Sequence, residues 1–338
     1  MLLIAFGTRP EFLKVRPVIL QLRKENISHK ILFTGQHPDM ITIQSDYLVL
    51  PPLPNSDRDA VRLNGIVAHI LNETPKIFEE QNISSVMVQG DTTSAFAIAL
   101  SAFNHRIPIV HLEAGLRTFD LDHPYPEEGN RQMISCIATT HLCPTEMSKN
   151  ILFKNGAAGI VEVVGNTVLD NLVGVKCRQD KKVLVTLHRR ENHMKMREWF
   201  QEIENLAHKY FDYEFILPLH PNPAVKKFGY ILKKVKVIEP LCYDDLVQYL
   251  SSCAFVITDS GGIQEEASFL RKRCLVCREQ TERTEGLNNF SLLCENPSLL
   301  FQRVEELKEL KMEGNCPYGD GRSSARIVKI LTSREKSR

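Results

Sequence analysis

Three carboxylates stand where an α/β protein would place its chemistry. Residues 85–88 form an apolar run that ends in Gln89-Gly90-Asp91-Thr92-Thr93-Ser94, and residues 108–112 end in Glu113-Ala114-Gly115-Leu116-Arg117. A polar, proline-bounded stretch, 120–126, then delivers Glu127-Glu128-Gly129-Asn130-Arg131 onto a helix. The first apolar run, 2–6, leads into Gly7-Thr8-Arg9-Pro10-Glu11, where Arg9 is the one strong cation held at the turn itself. Acids gathered beside an arginine suit general acid/base work next to an anion. Carboxylates brought close repel, which raises one pKa and separates the acid role from the base role. Taken singly, each acid reads rather as a helix cap or a solvated loop charge. Asp91 stands where an N-cap would, ahead of Thr92-Thr93.

A second constellation lies at Ile257-Thr258-Asp259-Ser260-Gly261-Gly262-Ile263-Gln264-Glu265-Glu266-Ala267. An apolar strand, a Ser-Gly-Gly turn and a helix start aim free N–H groups and a positive dipole end at one spot, which suits a phosphate. Glu266, one turn into the helix, can accept hydrogen bonds from ribose hydroxyls. The same pattern serves equally as a plain strand–helix connection.

Placing these residues requires alternating strands and helices. In the first half, runs 2–6, 30–34, 85–88, 108–112 and 140–143 read as buried strands, and segments 15–23, 64–79, 93–103 and 128–137 as helices. That alternation predicts a parallel sheet covered on both faces, with ligands beyond the carboxyl ends of its strands. The second half repeats the rhythm with strands over 183–186, 215–219, 235–238, 254–257 and 274–277 and a helix over 243–251. Its strand ends carry Leu187-His188-Arg189-Arg190-Glu191-Asn192 and His220-Pro221-Asn222-Pro223. The expected fold is α/β with two Rossmann-like, doubly wound parallel sheets facing a cleft. The expected division is a first domain over 1–168, joined by a basic C-terminal helix over 323–338, and a second domain over 169–322, with a charged link at 178–182.

The bulk properties narrow the function further. A chain of 338 residues, 43% hydrophobic and 25% charged, fits two ordinary globular domains. The formal net charge of +1 gives no field for nucleic acid or an anionic membrane. No apolar run reaches the ~18 residues of a membrane span, and the apolar start lacks a basic flank and a cleavage site, so a cytoplasmic protein is expected. Nine scattered cysteines imply reduced thiols. Cys274-x-x-Cys277 lacks a second ligand pair, so strand packing is expected and no metal. Neither G-x-G-x-x-G after the first strand nor a P-loop is present, which disfavours dinucleotide redox enzymes and P-loop NTPases, and no cofactor is expected.

These motifs together resemble the UDP-N-acetylglucosamine 2-epimerases of the non-hydrolysing bacterial type over nearly the whole chain. Besides the stretches above, Gly165-Asn166-Thr167, Thr281-Glu282-Arg283 and Pro317-Tyr318-Gly319-Asp320-Gly321 match in order. The resemblance implies a GT-B-like fold, a homodimer, and interconversion of UDP-GlcNAc and UDP-ManNAc for surface polysaccharide precursors. The implied route is anti elimination of UDP to a 2-acetamidoglucal, then re-addition. It also implies Asp91, Glu113 and Glu127 as acid/base residues, with the acid and base not assigned among them. His188 and Arg9 would lie against the diphosphate, Ser260, Gly261 and Gly262 would bind its oxygens, and Glu266 the ribose. Lys14 and Arg283 would be further cations, Lys14 reading equally as a helix-surface lysine. An activating UDP-sugar site would use Gln36, His37 and Arg189, whose presence favours epimerisation without hydrolysis. Pro38-Asp39 after the Gln-His pair, and Thr284 where the family has proline, leave open a related UDP-diacetamido or uronic sugar. A hydrolysing epimerase, a GT-B glycosyltransferase and a non-catalytic UDP-sugar sensor are the competing readings.

Overall fold

The computed structural model describes residues 1–36, 46–52 and 58–335. The chain divides into two compact units, one built from Met1–Asn171 with the segment from Gly321 on, the other from Leu172–Asp320.

The first unit runs β1 (Leu2–Phe6), α1 (Arg9–Lys24), β2 (His29–Phe33), β3 (Tyr47–Val49), α2 (Asp59–Glu80), β4 (Ser85–Gln89) and α3 (Thr93–Asn104). It continues with β5 (Ile109–Leu112), α4 (Glu127–Ile137), β6 (Thr140–Cys143), α5 (Glu146–Lys154) and β7 (Ile160–Val163). Its strands order as β3-β2-β1-β4-β5-β6-β7, parallel throughout, with Leu2 opposite both His29 and Ser85. The winding reverses between β1 and β4, and that reversal opens a crevice at the strands' carboxyl ends. Side-chain alternation explains why β1 is apolar without a break. Leu3 and Ala5 join the layer under α2 and α3, while Leu2, Ile4 and Phe6 join the layer under α1.

The second unit runs β8 (Lys182–Thr186), α6 (Met196–Lys209), β9 (Glu214–Pro218), α7 (Pro223–Lys226), β10 (Lys236–Ile238), α8 (Tyr243–Ser252) and β11 (Phe255–Thr258). It ends with α9 (Gly261–Phe269), β12 (Arg273–Val276), β13 (Ser291–Leu293) and α10 (Leu300–Glu309). Its parallel sheet orders as β10-β9-β8-β11-β12-β13, so the same reversal recurs between β8 and β11. Trp199, Phe200 and Ile203 of α6 fill one face against Val183, Val185 and Phe215. Cys274 and Cys277 are buried in and just after β12, packed as strand residues, and all nine cysteines are free.

The last helix, α11 (Ser323–Glu335), belongs to the first unit. Ile327 and Val328 are fully buried in the layer that holds Val15, Val18 and Leu22 of α1, and each such side chain contributes about 1.5–3 kcal/mol. Asp170 caps its start: the carboxylate accepts from Ser323 N at 3.0 Å, Ser324 N at 2.7 Å and Ser324 Oγ at 2.6 Å. Two Rossmann-like units with a final helix returning to the first constitute a GT-B-like fold. Among the described residues no helix is long and apolar enough to cross a membrane.

Candidate active site

In the first unit the turns after β1, β4 and β5 converge through hydrogen bonds. Asp91 follows Gly90, whose φ of 69° places it in the left-handed region. Asp91 is not the cap of α3. Thr92 holds that place, its hydroxyl accepting from Ala95 N at 3.0 Å, because a threonine one residue later reaches the same free N–H groups and leaves the Asp91 carboxylate available. That carboxylate instead pairs with Arg131 of α4 at 2.5 Å, and the Asp91 carbonyl accepts from Asn130 at 2.9 Å.

Glu113 is held on both backbone and side chain. Its φ of 64° is in the left-handed region, a conformation that costs a non-glycine residue roughly 1–2 kcal/mol and persists where surroundings impose it. Lys14 of α1 reaches its Oε2 at 2.5 Å, and the Gln89 amide donates to the same oxygen. Lys14 is therefore no plain surface lysine; its stem and ammonium are largely enclosed at a side-chain exposure of 14%. The Glu113 carboxylate also comes within 3.8 Å of where a Cβ on Gly90 would stand, which sets it beside the Asp91 turn. Glu127 opens α4, half-buried, one helical turn before the Arg131 that holds Asp91. Its neighbour Glu128 is fully buried and accepts from Thr118 N at 3.0 Å and Gln132 at 2.8 Å, fixing the loop that leads into the helix.

Glu11 ties two of these turns together. It completes a capping box on α1, accepting from Gly7 N at 3.0 Å and Thr8 N at 2.7 Å, while its other oxygen accepts from Thr92 Oγ1 at 2.8 Å. Burial pushes its carboxyl above the usual range, against those hydrogen bonds, which pull it down. His111 of β5 donates its Nε2 proton to Gly90 O at 2.8 Å, and burial lowers its pKa to about 3, so it stays neutral. Arg9 is the first residue of α1 and half-buried. Gln36 accepts from the Ser94 hydroxyl at 2.6 Å, which places it at the start of α3. His37 lies outside the described residues.

In the second unit Ser260, Gly261 and Gly262 form the turn and first residues of α9, immediately after β11. Ser260 N donates to Thr258 Oγ1 at 3.0 Å, and the Ser260 side chain makes no cap bond to the helix. The amino end of α9 is thus built from small residues, with no side chain of its own capping the first N–H groups. Gly261 has a steric reason: a Cβ there would lie 2.5 Å from Nη1 of Arg283. Arg283 itself is enclosed, donating to Glu265 at 2.6 Å and to Glu282. Glu266 is buried and accepts from the Tyr243 hydroxyl at 3.0 Å, which orients its carboxylate.

His188 and Arg189 follow β8, with their backbone N–H groups donating to Asp259 at 2.9 and 2.8 Å. The His188 ring stacks on His220, centroids 5.1 Å apart and planes 15° from parallel. Burial lowers the His188 pKa, with Asp259 opposing.

The sequence reading did not single out Glu11, Gln89, Arg131, Asp259, His220 or Tyr243. Thr8-Arg9-Pro10-Glu11 carries a readable capping-box signature. Gln89 and Arg131 meet their carboxylates 24 and 40 residues away, a pairing with no local signal.

Comparison with known proteins agrees in both units. Residues 20–332 match the family model described as UDP-N-acetylglucosamine 2-epimerase. A relative from Bacillus subtilis named UDP-N-acetylglucosamine 2-epimerase is 37% identical, over 96% of this chain and 93% of its own. The UDP-GlcNAc 2-epimerase of Neisseria meningitidis, solved bound to UDP-GlcNAc, superposes with a TM-score of 0.85 at 34% identity, covering 98% of this chain and 99% of that one. A crystal structure from Listeria monocytogenes, titled a putative UDP-N-acetylglucosamine 2-epimerase, gives a TM-score of 0.90 at 31% identity, covering 100% and 96%. Matched almost end to end, this chain belongs to the UDP-N-acetylglucosamine 2-epimerase family.

Proposed function

We propose that this chain is a non-hydrolysing epimerase that inverts C2 of a UDP-N-acetylhexosamine, interconverting UDP-GlcNAc and UDP-ManNAc. The observation that carries the reading is the pair of braced carboxylates, Asp91 on Arg131 and Glu113 on Lys14, gathered at the switch point of a sheet with Glu127 on the adjoining helix. Such bracing fixes ionisable groups for proton transfer.

The C2 proton of the sugar neighbours an amide nitrogen, not a carbonyl, and is too weakly acidic for direct exchange. Elimination avoids the problem. A carboxylate takes the C2 proton, the C1–O bond breaks with its electron pair passing to the β-phosphate, and UDP leaves a C1=C2 double bond. UDP then re-adds at C1 while a carboxylic acid protonates C2 from the other face. Asp91, Glu113 and Glu127 supply base and acid for the two faces. His188, Arg9 and the amino end of α9 meet the charge that develops on the departing diphosphate, and Glu266 accepts from the ribose. Gln36 and Arg189 serve a second, activating UDP-sugar, which favours epimerisation over hydrolysis.

The test incubates the full chain with UDP-GlcNAc in heavy water and follows the products by NMR. Deuterium at C2 with growth of UDP-ManNAc is the expected result. Free ManNAc and UDP as the main products would replace it with hydrolysis. Turnover only with an added acceptor would point to glycosyl transfer, and no reaction with this sugar but C2 exchange in a diacetamido analogue would move the substrate.

A further inference from the structure

Asp259 directly follows β11 and is fully buried (0%). Its two oxygens are used unequally. Oδ2 accepts from His188 N at 2.9 Å, Arg189 N at 2.8 Å and the Asn192 amide at 3.0 Å, so the turn after β8 is wound around one anionic atom. Oδ1 has no hydrogen-bond partner among the described residues and lies 3.4 Å from Nδ1 of His188. A buried carboxylate oxygen without a donor is costly, and that imidazole is an ionisable group placed to supply a proton. Contacts of this kind in ligand-free enzymes are often long and tighten when the ligand arrives.

The groups around the ring decide where a proton would go. His220, in the turn after β9, stacks on His188 with centroids 5.1 Å apart, so charge on one ring disfavours charge on the other. The Asn222 N–H donates to Nδ1 of His220 at 3.2 Å, which keeps that nitrogen a lone-pair acceptor. His193 bonds the His188 carbonyl at 3.1 Å from its own segment, and with Arg189 it opposes a positive ring. Asp259 alone favours one. With burial against it, the His188 ring of the free protein is held below its ordinary range.

We propose that Asp259 is a positioning residue that keeps the His188 proton on Nδ1, leaving the Nε2 lone pair outward, so that an arriving diphosphate draws a second proton from solvent onto Nε2 and binds as a proton-coupled ion pair. The inference rests on the reading above, in which His188 faces the diphosphate of a UDP-sugar. Its consequence is a sign. Affinity rises as pH falls through the ring's bound-state pKa and levels off below its free-state pKa, because the complex holds one more proton than the free protein. During elimination the imidazolium then faces the β-phosphate oxygen that gains charge.

Titration calorimetry with UDP-GlcNAc at pH ~7.5 in buffers of different ionisation enthalpy tests it, since an ordinary histidine is mostly neutral there. The sugar-linked diphosphate carries no proton titrating near neutrality, and epimerisation releases none, so the buffer dependence of the heat counts protons taken up by the protein. The wild type is expected to take up close to one proton per chain, and H188Q close to none. D259N retains an oxygen for the three N–H donors but turns an NH2 toward Nδ1, forcing the opposite tautomer. It is expected to bind UDP-GlcNAc with uptake near zero and kcat lowered about 100-fold. Nitrogen-15 NMR of the imidazoles should show the Nδ1–H tautomer of His188 in the free wild type and Nε2–H in D259N. Wild-type binding without proton uptake, or uptake unchanged in D259N, overturns the inference and leaves the function standing. No binding of UDP-GlcNAc by the wild type overturns the function itself. Should D259N fail to fold, the wild-type uptake and its tautomer decide.

Discussion

The two units repeat one topology and invert its electrostatics. At the first switch point the proposed working groups are carboxylates held by cations, Asp91 by Arg131 and Glu113 by Lys14. At the second, the groups proposed for the diphosphate are backbone amides, a hydroxyl and an imidazole. A chain of paired charges lies behind them, from Glu191 to Arg278 at 2.6 Å, Arg278 to Glu282 at 2.9 Å, Glu282 to Arg283, and Arg283 to Glu265 at 2.6 Å. Buried pairs of this kind add little net stability, because desolvation offsets their attraction, but breaking one leaves an uncompensated charge. Here they fix the loop that presses Arg283 against Gly261. On the proposed function, the same winding would serve proton transfer where acids end the strands and anion binding where a small-residue helix start does.

Substitutions should break the two halves differently. The largest effect is expected from Asp91→Asn or Glu113→Gln, each lowering C2 exchange in heavy water by about 10²–10⁴-fold while UDP affinity, read by calorimetry, stays within a few-fold of wild type. Retained exchange in both variants would remove them from the chemistry. Next comes the nucleotide side. Glu266→Gln should weaken UDP about 10- to 100-fold, the worth of a hydrogen bond to a charged group, raising KM much more than it lowers kcat. A kcat effect as large as that of Asp91→Asn would erase the distinction between the units. The smallest effect concerns Glu11. Burial raises its folded pKa above the unfolded value, so the folded state binds the extra proton and stability falls as pH rises from the unfolded pKa through the folded one. Glu11→Gln removes that titration and keeps a carbonyl for Gly7 and Thr8. Its Tm should match or exceed wild type at pH ~8 and lose the wild-type decline between pH ~4 and 8; a Tm lower at pH ~8 than at pH ~5 by the wild-type margin would contradict it.

How legible this was follows from the same physics. Strands buried on both faces are largely apolar runs, so β1, β4 and β11 stand out in the sequence within a residue of their ends, and β6 is read there too although it opens on Thr140 and His141. The expected reading omitted β3, β7 and β13, which have three or four residues, two of those in β7 exposed. It also omitted α6 and α10, which start without a side-chain cap, and α5, although Thr145 caps it. Residues at strand ends were readable because topology places them there. Their partners were not, since Lys14 meets Glu113 across 99 residues and His188 meets His220 through a stack that no spacing announces.

The Asp170 cap and the packing of α11 against α1 carry a last consequence, for synthesis of the chain. The second unit is in effect an insertion inside the first, so a ribosome must make everything up to Ser323 before the first unit receives its final helix. Until then the layer around Val15, Val18 and Leu22 lacks Ile327 and Val328. Completion of the earlier-made unit therefore waits on a segment made after the whole second unit, and a nascent chain stalled short of α11 would present that unfinished apolar layer to chaperones.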